Sequence, residues 1–164
     1  MASVQSGPIL DPELAAARFR RDLRPLDEHR TAFEAAGVRV IRLEYPVIEV
    51  ALLWKARSSE VILHVEAPDH DYLPPMAWWV DGSGTPLREG KGMVPSGDGF
   101  QQTGGHPHGL PRTWLCFPGW REYHDHPGHQ SPSWRSQRAV PDRRLPGILL
   151  RTWTDLQRPG VHGA

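Results

Sequence analysis

The chain reads as one α+β domain, and three observations predict it. Apolar residues recur at helical spacing up to Ala36, the period changes to that of strands at Val38, and a second helical stripe occupies Leu145–Leu156. Between the helical regions four strand-like runs follow one another through short connections, which is the pattern of an antiparallel meander. A chain of 164 residues is long enough to bury a core of its own, so residues 1–164 are expected to form a single unit.

The first helix has a defined start. Asp11 is placed to cap free N–H groups, Pro12 suits the first helical position and Glu13 complements the dipole. Phe19, Leu23, Leu26 and Phe33 then share a face. Pro25 carries no amide hydrogen, so a break or kink is expected near Arg24, leaving two pieces over about residues 12–23 and 26–36. Gly37 is the stop signal. Beyond it Val38, Val40, Arg42 and Glu44 alternate with Arg39, Ile41, Leu43 and Tyr45, as in a strand with two faces. Pro46 interrupts, and Val47–Trp54 is nearly all apolar, as a central strand would be. A turn at Arg57-Ser58-Ser59 leads into a third strand over residues 60–66, and Met76–Val80 makes a short fourth.

Residues 81–105 contain eight glycines and two prolines and are expected to form a long inserted loop without sustained regular structure. Residues 106–141 show no sustained period either, only Pro, Gly, His and Trp, and are expected to be irregular backbone pinned by aromatic side chains. Leu145, Ile148, Leu149, Leu150, Trp153 and Leu156 then form a helical stripe that suits a sheet, and Pro159-Gly160 closes it.

Bulk charge excludes several classes of function. Nineteen basic side chains balance nineteen acidic ones, and Lys55 and Lys91 are the only lysines. The arginines are dispersed among the acids, so neither nucleic acid nor an acidic membrane is an expected partner. No apolar run is long enough to span a bilayer, and the first ten residues are too polar for a secretory leader. A single cysteine also argues against a disulfide-stapled secreted domain, so a cytoplasmic protein is expected. The chain has no G-x-x-x-x-G-K-[ST] loop, no G-x-S-x-G elbow and no H-E-x-x-H helix.

What remains is the cysteine. Cys116 has no partner for a disulfide, so it is either a small buried hydrophobe or a reagent. His106-Pro107-His108 precedes it, with His106 ten positions before the thiol, and Tyr123-His124-Asp125-His126-Pro127-Gly128-His129 follows. A histidine beside an aspartate is suited to act as a base near neutral pH, which singles out His124 and His126 with Asp125 orienting one of them. The same residues permit a second reading. His106, His108, Cys116, His124, His126 and His129 offer six candidate ligands within twenty-four residues, and zinc accepts imidazole with thiolate, although no zinc-finger spacing is present.

In order along the chain, the strand around Val61-Ile62-Leu63-His64-Val65-Glu66, the turn Tyr72-Leu73-Pro74-Pro75, His106-Pro107-His108, Cys116, Trp134 and the Leu145–Leu156 stripe resemble the ubiquitin-conjugating enzymes. In that family a strand leads into a Tyr-Pro-x-x-Pro-Pro-like turn, a His-Pro-Asn tripeptide follows, and the nucleophilic cysteine stands ten residues after its histidine. The resemblance spans about residues 38–156. It departs from the family at His108, which stands in place of asparagine, and in the spacing of Pro75 and His106, which are thirty-one positions apart and imply an insertion of roughly twenty. The chain also stops soon after the last helix, and so looks like the trimmed bacterial relatives, some of which serve antiphage defence.

The resemblance implies a ubiquitin-conjugating fold and a transferase needing no cofactor and no metal. Cys116 would take a ubiquitin-like protein as a thioester from an activating enzyme and pass it to an amine of a target protein. His108 would assume the oxyanion-side role of the asparagine, since an imidazole N–H donates as an amide does. His106 would be structural, bonding nearby backbone. The loop containing His124, Asp125 and His126 would assist deprotonation of the amine. Tyr72, Pro74 and Pro75 would bend the chain, Trp120 and Trp134 would pack the loop layer, and the first helix would dock the activating enzyme. A variant of the same fold that binds a ubiquitin-like protein without catalysis is the remaining alternative.

Overall fold

The computed structural model describes residues 8–129 and 131–164, so the reading of the first ten residues as free of a leader falls largely outside it. The fold is α+β: an N-terminal helix, a four-stranded antiparallel sheet and a C-terminal helix, with the loop-rich region between sheet and last helix. Among the described residues no helix is long and apolar enough to cross a membrane.

Helix α1 spans Pro12–Glu28, and Asp11 caps it by accepting from the Glu13 and Leu14 amides. The expected break near Arg24 is not there. The helix runs through Pro25 and ends at His29, after which α2 occupies Arg30–Ala35. Leu23 and Leu26 flank the proline, lie one turn apart and are both sealed in the core, so packing of that face holds the helical register where the missing amide would release it. Gly37 ends α2 as expected, at φ 99°, and a Cβ there would sit 2.4 Å from Trp153 Nε1.

Strands β1 (Val38–Glu44), β2 (Val47–Trp54), β3 (Ser59–Glu66) and β4 (Met76–Val80) pair in that order, all antiparallel. Strict alternation fails once. The pairing of β1 slips between Val40 and Arg42, so Val38 and Val40 face the core before the slip, and Leu43 and Tyr45 pack against it afterwards. The apolar pattern Val-x-Val-x-x-Leu-x-Tyr is the sequence counterpart of that bulge.

Ile48, Val50, Leu52, Leu63, Val65 and Trp79 form the inner face of the sheet and are covered by Phe19, Leu23 and Leu26 of α1 and by Leu145, Ile148, Leu149 and Leu156 of α5 (Leu145–Leu156). Each fully buried aliphatic side chain of this kind stabilises by about 1.5–3 kcal/mol. The end of α5 is tied to β2, since Trp153 Nε1 and Gln157 Nε2 both donate to the Leu53 carbonyl at 3.1 and 2.8 Å.

The region from 81 to 141 is more ordered than its composition implies. Short strands β5 (Pro95–Ser96), β6 (Phe100–Gln101) and β7 (Trp114–Leu115) appear, followed by helices α3 (Arg121–Asp125) and α4 (Trp134–Arg138); β8 (His162–Gly163) pairs with β5. Strand β6 of the glycine-rich segment pairs with β7, so that segment is built into the layer that holds the cysteine.

Candidate functional site

Cys116 directly follows β7 and is half-buried, its backbone N–H donating to the Gly99 carbonyl at 2.8 Å. Gly99 makes that contact at φ 98°, and a Cβ on it would lie 2.6 Å from the Phe117 ring. The glycine-rich segment thus fixes the backbone that presents the thiol. On the other side, the edge of the sheet hands over directly to the helix after the cysteine, because the buried Pro75 accepts from the Arg121 amide at 2.8 Å. Tyr72 of the same turn is exposed.

His106 is buried and organises its own loop. Its Nδ1 accepts from the His108 amide at 3.0 Å, which matches the backbone-bonding role expected of it. With Nδ1 an acceptor, the proton of the neutral ring is on Nε2, which faces Glu122 Oε1 at 3.5 Å. Glu122 is fully buried, and Arg112 Nη2 approaches the same oxygen at 3.6 Å. None of these contacts has hydrogen-bond geometry, and both Glu122 oxygens and His106 Nε2 are buried without such a partner. Burial lowers the Arg112 guanidinium from its ordinary value, against the pull of Glu122. Arg112 stacks over Trp78 at 3.7 Å, whose ring meets His64 at 4.6 Å, so this charged cluster continues onto the outer face of the sheet.

His108 reaches out of the loop, and its Nε2 lies 2.7 Å from Asp125 Oδ2, an oxygen also approached by Arg121 Nε at 3.3 Å. Asp125 therefore orients His108, not the histidines on either side of itself. His124 Nε2 accepts from the Gly119 amide at 3.0 Å, and burial pushes its ring below the ordinary histidine value, so it is engaged as a neutral acceptor. His126 stacks on Trp114 at 6.0 Å, and its Nδ1 accepts from the Gly128 amide at 3.1 Å.

The imidazole beside the sulfur is His129, with Nδ1 3.6 Å and Nε2 3.8 Å from Cys116 Sγ. In the sequence nothing separates it from His124 and His126; the turn at Pro127-Gly128, closed by the His129 amide on the His126 carbonyl, decides which of the three returns to the thiol. Tyr123 stacks on His129 at 4.2 Å with planes 10° apart, and its hydroxyl donates to the Ser131 carbonyl. Burial pushes the Cys116 thiol above its ordinary value. Glu122, Arg112 and Tyr123 carried no spacing signal that marked them in advance.

Trp120 is sealed in the core and donates to Thr152 Oγ1, while Trp134 donates to the Asp71 carbonyl and meets His124 edge to face, so both pack this layer as expected. Among the described residues no three His, Cys, Asp or Glu side chains converge as they would on a metal ion. Of the six candidate ligands Cys116 and His129 face each other, while His106, His108, His124 and His126 engage the His108 amide, Asp125, the Gly119 amide and the Gly128 amide. The arrangement offers a half-exposed thiol with one imidazole in reach and a second, carboxylate-held imidazole on the neighbouring loop. No protein-family model matches the chain, and no curated protein matches it.

Proposed function

We propose that this chain is a ubiquitin-conjugating-enzyme-like transferase, which accepts a ubiquitin-like protein from an activating enzyme as a thioester on Cys116 and passes it to an amine of a target protein. The observation that carries the reading is the exposure of Cys116 beside the edge of a four-strand meander, on the segment immediately after the His106-Pro107-His108 loop. The order of helix, meander, loop cysteine and closing helix is that of the family the sequence resembles.

Sulfur suits the task, because a thioester remains reactive toward amines while resisting water better than it resists a nitrogen nucleophile. As the amine attacks, charge develops on the carbonyl oxygen, and His108 in its imidazolium form, with Nε2–H given to Asp125, has its second N–H to donate in place of the family's asparagine. His106 holds the loop through the His108 amide, and Glu122 stands behind it. Asp125 acts through His108, which it orients, while His124 and His126 brace the same segment by accepting the Gly119 and Gly128 amides. The surface of α1 is the docking face for the activating enzyme. A cytoplasmic setting and a part in antiphage defence belong to the same reading.

The experiment is incubation with a candidate cognate activating enzyme, its ubiquitin-like protein and ATP. An adduct removed by dithiothreitol and absent from Cys116→Ala supports the transferase; an adduct on Cys116→Ala overturns it.

A further inference from the structure

We propose that His129 is the proton acceptor for Cys116, so that this chain activates its own thiol; the catalytic use of the pair rests on the transferase reading above. Two independent features place the ring there. Its nitrogens lie 3.6 and 3.8 Å from Sγ, and the ring plane is set by the Tyr123 stack at 4.2 Å. Tyr123 is itself fixed by its hydroxyl bond to the Ser131 carbonyl. The Cys116 backbone is held by the Gly99 carbonyl on its amide. A nucleophile and an imidazole within contact distance is the arrangement from which acyl transfer starts, and because Sγ lies at nearly equal distances from both nitrogens a rotation of the His129 ring brings one of them into line.

The other histidines are committed elsewhere. His106 Nδ1 and His124 Nε2 accept backbone amides, His108 is bound to Asp125, and His126 accepts from Gly128. Among the described residues, Sγ is the group within hydrogen-bond reach of the His129 ring nitrogens. The thiol also needs a base, since its partial burial favours the neutral form. The groups facing His129 are Cys116, Tyr123 and His126, with the His124 ring close enough to interact with it electrostatically.

In the transfer step the Sγ–H proton moves to an imidazole nitrogen while the sulfur electron pair forms a bond to the thioester carbonyl carbon of the incoming donor. The tetrahedral species collapses by breaking the bond to the donor's sulfur, and the imidazolium returns its proton to that departing thiolate. No oxidant, reductant or cofactor enters the balance.

The test measures the rate of Cys116 alkylation by iodoacetamide against pH, which requires no partner protein. Wild type should show a plateau that sets in over the imidazole range, below the titration of the thiol itself. In His129→Gln the rate at pH 7 should fall at least tenfold and the plateau should vanish. A wild-type profile that follows a single thiol titration, or an unchanged profile in His129→Gln with matched circular dichroism, overturns the proposal. Charging by an activating enzyme is followed in parallel. Thioester formation at equal rates in wild type and His129→Gln overturns the role of His129 and leaves the transferase standing. Loss of the plateau in His129→Gln with no thioester on wild type leaves the pair standing and removes the transferase.

Discussion

His108 Nε2 and Asp125 Oδ2 lie 2.7 Å apart and tie the loop before β7 to the end of α3. In the proposed mechanism this contact orients the His108 ring, whose other nitrogen, when protonated, donates to the developing oxyanion. His108→Ala should therefore slow discharge of the thioester to a free amine about a hundredfold, the usual cost of one lost oxyanion donor. His108→Asn, which restores an amide donor, should keep the rate within about tenfold of wild type. Single-turnover discharge of pre-charged protein measures both. Equal loss in the two variants would remove His108 from the oxyanion role.

Gly99 couples the glycine-rich segment to the backbone of Cys116. Gly99→Ala must either strain a positive φ or displace Phe117, so it should cost about 2–4 kcal/mol in urea unfolding. It should also change the rate at which Cys116 is alkylated, because the Gly99 carbonyl holds the cysteine amide. Substituting Gly82, which has open space around it, should do neither.

Asp22 and His70 form a buried pair far from the thiol, 2.8 Å apart, with side chains 1% and 2% exposed. Burial opposes ionisation of Asp22, but the bonds from His70 and Arg21 outweigh it and hold the carboxyl at about 2. A depressed carboxylate contributes stability that is fully present above its ordinary value of 3.8 and is lost as pH falls towards 2. The contribution is about 2 kcal/mol at neutral pH. Asp22→Asn should be destabilised by roughly 3 kcal/mol at pH 7, since His70 loses its buried partner, and the gap to wild type should narrow between pH 4 and pH 2. Urea unfolding across that range checks it; a gap that stays constant would exclude the linkage.

The meander and closing helix were legible because burial imposes a period on the residues. Val47–Trp54 and Met76–Val80 are apolar where the sheet is covered, and Leu145, Ile148, Leu149 and Leu156 fall on one helical face. Pro25 misled, because the burial of Leu23 and Leu26 overrides a local preference that the sequence displays openly. The bulge at Ile41 was hidden by a plausible alternation, although the positions of Leu43 and Tyr45 encode it. At the site, Cys116, His106 and His108 stood out by spacing. His129, Glu122 and the Gly99 carbonyl did not, because each acts through a contact between segments distant in the chain or through a turn whose direction no period predicts.

The most direct test of the transferase is the Cys116→Ser protein, charged with the activating enzyme, ubiquitin-like protein and ATP and examined by intact mass and peptide mapping. A hydroxyl in place of the thiol should yield an oxyester at residue 116 that survives dithiothreitol, where wild type yields a thioester that does not. An adduct mapped to any other residue, or none on wild type under conditions in which the activating enzyme itself is charged, would contradict the assignment of Cys116 as the acceptor.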